Sequence, residues 1–292
     1  MLRSAPVDGF RLGYDRWGPG SGDAVVLLHG WPGDRTDYRG VVPLLAGTCD
    51  VVVPDLRGFG DSDRHAAHRP DLYDAAAQAR SVVGLVDELG LARPVLAGYD
   101  IGSRIAQAVA RAHPERVRAL VVSPPLPGIG DRILDPQAQR EFWYQPFHQL
   151  ALAEQLLDGR PAALRDYLRH FWSHWSGPSF TPDEGALDHL VAAYGSPGAF
   201  TASIAWYRAG AGAVALSLAE TPPARTDRIA VPTTVLWPEH DPLFRRAWSD
   251  RLGDFFHDVT LEHVDGVGHF VPVEAPDRFA TAISRAVAAT GA

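Results

Sequence analysis

The chain has 292 residues, 46% of them hydrophobic, a formal net charge of −8 and a single cysteine, Cys49. That apolar share fills a sizeable core, while the acidic balance excludes the electrostatic footprint of a nucleic-acid or anionic-membrane binder. One cysteine excludes an intramolecular disulfide and any multi-cysteine metal site; with no signal-like or membrane-length apolar run, the expected setting is the cytoplasm.

In chain order, Phe10–Trp17 alternates loosely and predicts an edge strand before the Gly18-Pro19-Gly20 turn. Ala24–Leu28 is a continuous apolar run, as expected of a strand buried on both faces, and it ends in His29-Gly30-Trp31-Pro32-Gly33. Val51–Pro54 is a second such strand, followed by Asp55-Leu56-Arg57-Gly58-Phe59-Gly60-Asp61-Ser62, where Asp61 and Asp63 read as solvated loop carboxylates. Asp71–Leu89 has helical spacing and stops at Gly90. Val95–Gly98, a tight turn and helical text up to His113 come next, then the apolar run Val117–Ser123. Strands alternating with helices predict an α/β fold: a mostly parallel central sheet with helices on both faces. The alternation breaks at Pro124–Gly128 and resumes after Thr221-Pro222-Pro223, with Thr233–Trp237 as strand, Leu243–Phe256 as helix, Asp258–Val264 as strand and a last helix from Ala275 to about Ala289. The expected organisation is a core built from residues 1–123 and 229–292, interrupted by a helical cap over 124–228 that carries 13 of the 28 aromatic residues.

The chemistry centres on Gly98-Tyr99-Asp100-Ile101-Gly102, between a buried strand and a helix. Flanking glycines permit a strained turn that lifts the central side chain clear of the sheet, which is similar to the nucleophile elbow of α/β-hydrolases. Here the central residue is Asp100 and not serine. A serine attacking a saturated carbon forms an ether, and turnover stops there. A carboxylate attacking the same carbon forms an ester whose carbonyl stays open to water. Asp100 therefore points to opening a carbon–oxygen or carbon–halogen bond at a saturated carbon, and away from ordinary esterase work.

An acid and then a histidine are expected downstream of such an elbow. Asp241 follows the Thr233–Trp237 strand and His269 follows the last strand, so both fall at the same sheet edge as Asp100. His269 is the candidate base for water and Asp241 its orienting partner. The backbone N–H groups of Trp31 and Ile101 are the candidate oxyanion site. His170 and His174 stand four apart on an expected helix, but no third ligand accompanies them, so no metal is implied.

These segments resemble the α/β-hydrolase-fold epoxide hydrolases, from about Val25 to Glu274. His29–Gly33, Pro54–Ser62, the aspartyl elbow and Gly268-His269-Phe270 carry the likeness and are shared with haloalkane and haloacetate dehalogenases. Epoxide hydrolases typically use two cap tyrosines to protonate the epoxide oxygen. Phe142–Leu150 and Ala205–Arg208 look like those segments and nominate Tyr144 and Tyr207, with His148 as the rival to Tyr144. Tyr167 and Tyr194 are expected to pack their rings and bond backbone through their hydroxyls. The halide-holding Trp that haloalkane dehalogenases usually place after the nucleophile is replaced by Ile101. The haloacetate enzymes resemble Asp-Arg-x-x-Arg, of which Arg104 matches the second arginine; a structural ion pair at the base of the helix is its simpler reading. The resemblance implies hydrolysis of a small apolar epoxide to a vicinal diol through an ester on Asp100, with no cofactor. The alternative it leaves is a haloacetate or haloalkane dehalogenase.

Overall fold

The computed structural model describes residues 1–20, 22–65, 69–210 and 213–289, so the end of the second core segment, 290–292, lies outside the described residues. Its centre is an eight-stranded sheet: β1 (Leu2–Arg3), β2 (Gly13–Trp17), β3 (Asp23–Leu28), β4 (Cys49–Pro54), β5 (Val95–Gly98), β6 (Ala119–Val122), β7 (Thr233–Pro238) and β8 (Val259–Val264). The strand order is β1-β2-β4-β3-β5-β6-β7-β8; β2 runs antiparallel to both of its neighbours, and every other pairing is parallel. β3, β5 and β6 read Val, Leu and Ala because helices cover both faces, and Val25–Leu28, Val95–Ala97 and Ala119–Val122 are all buried. Each fully buried valine or leucine there contributes about 1.5–3 kcal/mol relative to an exposed one.

The helix expected from Asp71 is regular only over Ala75–Glu88. Asp74 accepts the Ala77 N–H and fixes its start, while the residues before it form a single 3-10 turn, Pro70–Leu72. The last helix, Pro276–Ala289, buries Phe279, Ala280, Ala282 and Ile283 against the sheet. Leu243–Phe256 is the clearest departure from expectation. Asp241 already holds the N–H groups of Leu243 and Phe244, and the Phe244 carbonyl accepts the Trp237 indole N–H. A helix cannot begin inside that turn, and 3-10 turns over Arg246–Asp254 replace it.

Between β6 and β7 the described residues contain helices and no strand: the longest are Pro161–His174 and Glu184–Tyr194. Trp31, projecting from the β3 loop, is the post around which this insertion packs. Its ring stacks on Tyr144 at 5.8 Å and meets Phe171, Trp175 and Tyr207 edge-on. Polar links add to the rings: Trp172 Nε1 donates to Pro32 O (3.0 Å), Tyr194 Oη donates to Gly33 O (2.6 Å), and His189 meets buried Asp34 at 2.6 Å. Asp61 and Asp63 are surface loop carboxylates but not free ones, since they pair with Arg35 and Arg3. No helix of the described residues is long and apolar enough to cross a membrane.

Candidate active site

The carboxyl ends of β3, β5, β7 and β8 deliver Trp31, Asp100, Asp241 and His269 to one edge, as parallel strands must. Asp100 opens the helix Asp100–Ala112 with a φ of 49°, a left-handed conformation that costs a non-glycine residue free energy. Close approach of the chain imposes it. A Cβ on Gly102 would stand 1.9 Å from Leu28 O, and one on Gly30 would stand 2.5 Å from Asp100 Cβ. Glycine is the side chain that fits at both places.

Asp100 accepts the Trp31 N–H at Oδ1 (2.7 Å), while its Oδ2 faces His269 Nε2 at 3.4 Å, an ion-pair distance without an aligned hydrogen bond. His269 Nδ1 lies 2.9 Å from Asp241 Oδ2, and Asp241 Oδ1 takes the N–H groups of Leu243 and Phe244. His269 and Asp241 are both buried. Burial alone would lower the His269 pKa, but attraction and hydrogen bonding to Asp241, together with the Asp100 carboxylate close to its other nitrogen, outweigh it and hold it up at about 10. Ile101 N–H belongs to the first turn of the elbow helix, where no intrahelical carbonyl reaches it. It is the second candidate donor, next in sequence to Asp100.

Over Asp100 lies a narrow cavity whose walls include Ile101, Phe142, Tyr144, Gln145, Trp206 and Tyr207. Both expected tyrosines thus line it. Their rings stand 5.6 Å apart and nearly perpendicular, with both side chains at the cavity wall. Burial, and then the nearby Asp100 charge, push the Tyr144 pKa up; burial and Tyr144 do the same to Tyr207, so both stay protonated donors. His148 is fully buried but does not line the cavity. Its Nε2 meets Tyr167 Oη at 2.8 Å, and burial together with the Arg208 charge pushes its pKa well down. Tyr167 therefore bonds a side chain where a backbone partner was expected, while Tyr194 does bond backbone, at Gly33. The ion pair expected for Arg104 does not form: this arginine enters no salt bridge among the described residues.

Two contributors escape a reading of the sequence. Glu274 accepts the N–H groups of Gly268 and Phe270, which flank His269, and of Gly177 in the insertion, at 2.7–3.0 Å. One carboxylate thus fixes the histidine loop and ties it to the helices above. Gln145 donates to Tyr144 Oη at 3.3 Å from inside the cavity wall. A Glu in Val-Pro-Val-Glu carries no local signal of such a task, because its partners are backbone groups. Among the described residues, no group of three or more His, Cys, Asp or Glu side chains is disposed to hold a metal ion; His174 instead pairs with Glu141.

The chain is similar to proteins already known. A soluble epoxide hydrolase of Corynebacterium sp. (strain C12) is 29% identical over 282 residues, covering 93% of this chain and 92% of that protein. A fluoroacetate dehalogenase of Burkholderia sp. is 31% identical over 196 residues, covering 65% of this chain and 64% of its own. The solved structure of the epoxide hydrolase CorEH without ligand superposes with a TM-score of 0.82 at 26% identity, covering 99% of this chain and 98% of that one. The model of the alpha/beta hydrolase fold family matches residues 23–276. With the aspartyl elbow, the parallel sheet and the histidine loop in the positions described, the chain belongs to the α/β-hydrolase fold family.

Proposed function

We propose that this protein is an epoxide hydrolase that works through an ester on Asp100, with residues 124–228 acting as its cap. The coarser placement, a hydrolase of the group that holds epoxide hydrolases and dehalogenases, follows from its relatives. The observation that carries the finer reading is the pair of protonated tyrosines, Tyr144 and Tyr207, that line the cavity over Asp100 together. An opening epoxide leaves an alkoxide, which needs a proton as the bond breaks; a departing halide needs only weak donors.

In this mechanism Asp100 Oδ2 attacks an epoxide carbon, the C–O bond breaks and the tyrosines protonate the leaving oxygen. Oδ1, on the Trp31 N–H, becomes the ester carbonyl. With Asp100 ionised, His269 holds its own proton and is no base. Esterification removes the Asp100 charge, so the His269 pKa falls; the proton it sheds replaces the one given by the tyrosines. Neutral His269 then takes a proton from water, hydroxide adds to the ester carbonyl, and collapse releases the diol and restores the Asp100 carboxylate. A single turnover in oxygen-18 water tests this. The new diol oxygen is expected to be unlabelled, having come from Asp100, and label found mainly in the diol would mean direct attack by water.

A further inference from the structure

Four consecutive residues of the β3 loop, Trp31 to Asp34, are each gripped by the insertion. Its rings pack on Trp31, Trp172 Nε1 donates to Pro32 O at 3.0 Å, and His189 meets Asp34 at 2.6 Å. Tyr194, the last residue of the helix Glu184–Tyr194, holds Gly33 twice. Its buried hydroxyl donates to Gly33 O (2.6 Å) and accepts the Gly33 N–H (3.0 Å). The Pro32 carbonyl and the Gly33 N–H belong to one peptide group, so that group is fixed at both ends by side chains 140 and 161 residues away. The core side of the loop leaves no slack either. A Cβ on Gly33 would stand 1.9 Å from Asp37 Oδ2 and 2.8 Å from Tyr99 Oη. Tyr99, the neighbour of Asp100, donates to that same Asp37 oxygen at 2.6 Å.

The same stretch of chain carries the Trp31 N–H, which holds Asp100 Oδ1, the atom that becomes the ester carbonyl and then the oxyanion during hydrolysis. The Pro32 ring fixes its own φ, which leaves few torsions between the clamped peptide and that N–H. A donor to an oxyanion must be aimed before the charge develops, because aiming it later adds to the barrier. We propose that Tyr194 is a positioning residue for the oxyanion site. By clamping Gly33 its hydroxyl aims the Trp31 N–H, so hydrolysis of the ester depends on the insertion being seated on the loop. The effect on hydrolysis rests on the ester mechanism above; the control of the Trp31 N–H does not.

Tyr194→Phe keeps the ring against Phe59 and deletes the clamp. Tyr167→Phe, which deletes an insertion hydroxyl bonded to His148, is the control. With styrene oxide, single-turnover hydrolysis of the Asp100 ester should slow about 10-fold in Tyr194→Phe, less than the loss of a whole oxyanion donor, while alkylation slows less. In a His269→Gln background, where the ester accumulates, carbon-13-edited infrared spectra should place the ester carbonyl at higher frequency once Tyr194 is replaced. A weaker hydrogen bond stiffens the C=O, whereas a role in stability alone would leave that frequency where it is. A second arm needs no turnover: hydrogen exchange of the Trp31 amide in substrate-free protein should quicken up to about 10-fold in Tyr194→Phe and stay unchanged in the control. Unchanged hydrolysis or carbonyl frequency in folded Tyr194→Phe overturns the proposal. Should that variant not fold, wild type decides: under rising urea the Trp31 amide should exchange through the same opening as the helix Glu184–Tyr194. A Trp31 amide still protected after that helix opens overturns the proposal equally. If styrene oxide forms no ester while Trp31 exchange still depends on Tyr194, the clamp stands and the proposed reaction is what fails.

Discussion

The sheet edge and the helical insertion hold their site groups by different means. On the sheet edge the charged groups are fixed by backbone: Trp31 N–H on Asp100, two amides on Asp241, and two amides beside His269 on Glu274. The elbow is held in a strained conformation by the chain packed against it. Across the cavity, the insertion presents neutral hydroxyls held by ring packing, with Trp31 stacked on Tyr144 and meeting Tyr207 edge-on. Charge that attacks is thus held by parts that scarcely adjust, and protons that are donated are held by side chains that repack. Substitutions on the two sides should therefore fail differently: all-or-none by step on the sheet edge, and partial and non-additive on the insertion.

The largest expected effect is on the sheet edge. His269→Gln should still be alkylated but not hydrolysed, lowering steady-state turnover on the order of 10³-fold. Intact-protein mass spectrometry should find enzyme plus substrate accumulating, and normal turnover in this variant would remove His269 from the second step. Next come the tyrosines. Tyr144→Phe and Tyr207→Phe each delete a donor and keep a ring, and each should slow alkylation on the order of 10²-fold. The effects should not add, because the two rings are in contact and both hydroxyls serve the same leaving oxygen. The double variant should be nearly inactive on epoxides yet folded by circular dichroism. Quenched-flow measurement of Asp100 alkylation decides it: an unchanged rate in the double variant would reopen the dehalogenase reading.

How much of this was legible in the sequence follows the same division. The elbow, the Trp31 loop, Asp241 and His269 are readable because short motifs dictate backbone geometry, and parallel strands bring their ends together without further information. Tyr144 and Tyr207 have no such signal. They were nominated by resemblance alone, since ring packing depends on segments far apart in the chain. The same distance hides His148–Tyr167, Asp34–His189 and the reach of Glu274 to Gly177, separated by 19, 155 and 97 residues. The simpler reading of Arg104 failed for a related reason: helical spacing tells which face a residue occupies but not whether an acid waits opposite. Leu243–Phe256 misled because the pattern suits a helix, while the turn built by Asp241 forbids its start.

The smallest effect tests the seam between the two regions, where His189 of the insertion meets Asp34 of the Trp31 loop. Asp34 is buried, and burial would raise its pKa; hydrogen bonds from His189 and Thr36 outweigh that and bring it down to about 2. The hydrogen bond to Asp34 raises the His189 pKa above 6.5, against partial burial and the opposing charge of Arg35, with Asp55 adding to the rise. The signs follow. A lowered carboxylate stabilises the fold above its unfolded value of about 3.9 and loses that contribution as pH falls through about 2. A raised histidine contributes fully below about 6.5, and the contribution fades as pH rises through its folded value. The pair should therefore stabilise the seam most between about pH 4 and 6.5 and progressively less on the alkaline side. Since the His189 side chain is 45% exposed, water screens the pair, and about 1 kcal/mol is the expected scale. Urea unfolding of wild type and His189→Gln should differ by about that much at pH 5.5 and by clearly less at pH 9, the glutamine keeping a neutral donor near Asp34 but no charge. A difference that stays flat from pH 5.5 to 9 would mean that the seam rests on Trp172, Tyr194 and the rings around Trp31, with the charge of His189 contributing nothing.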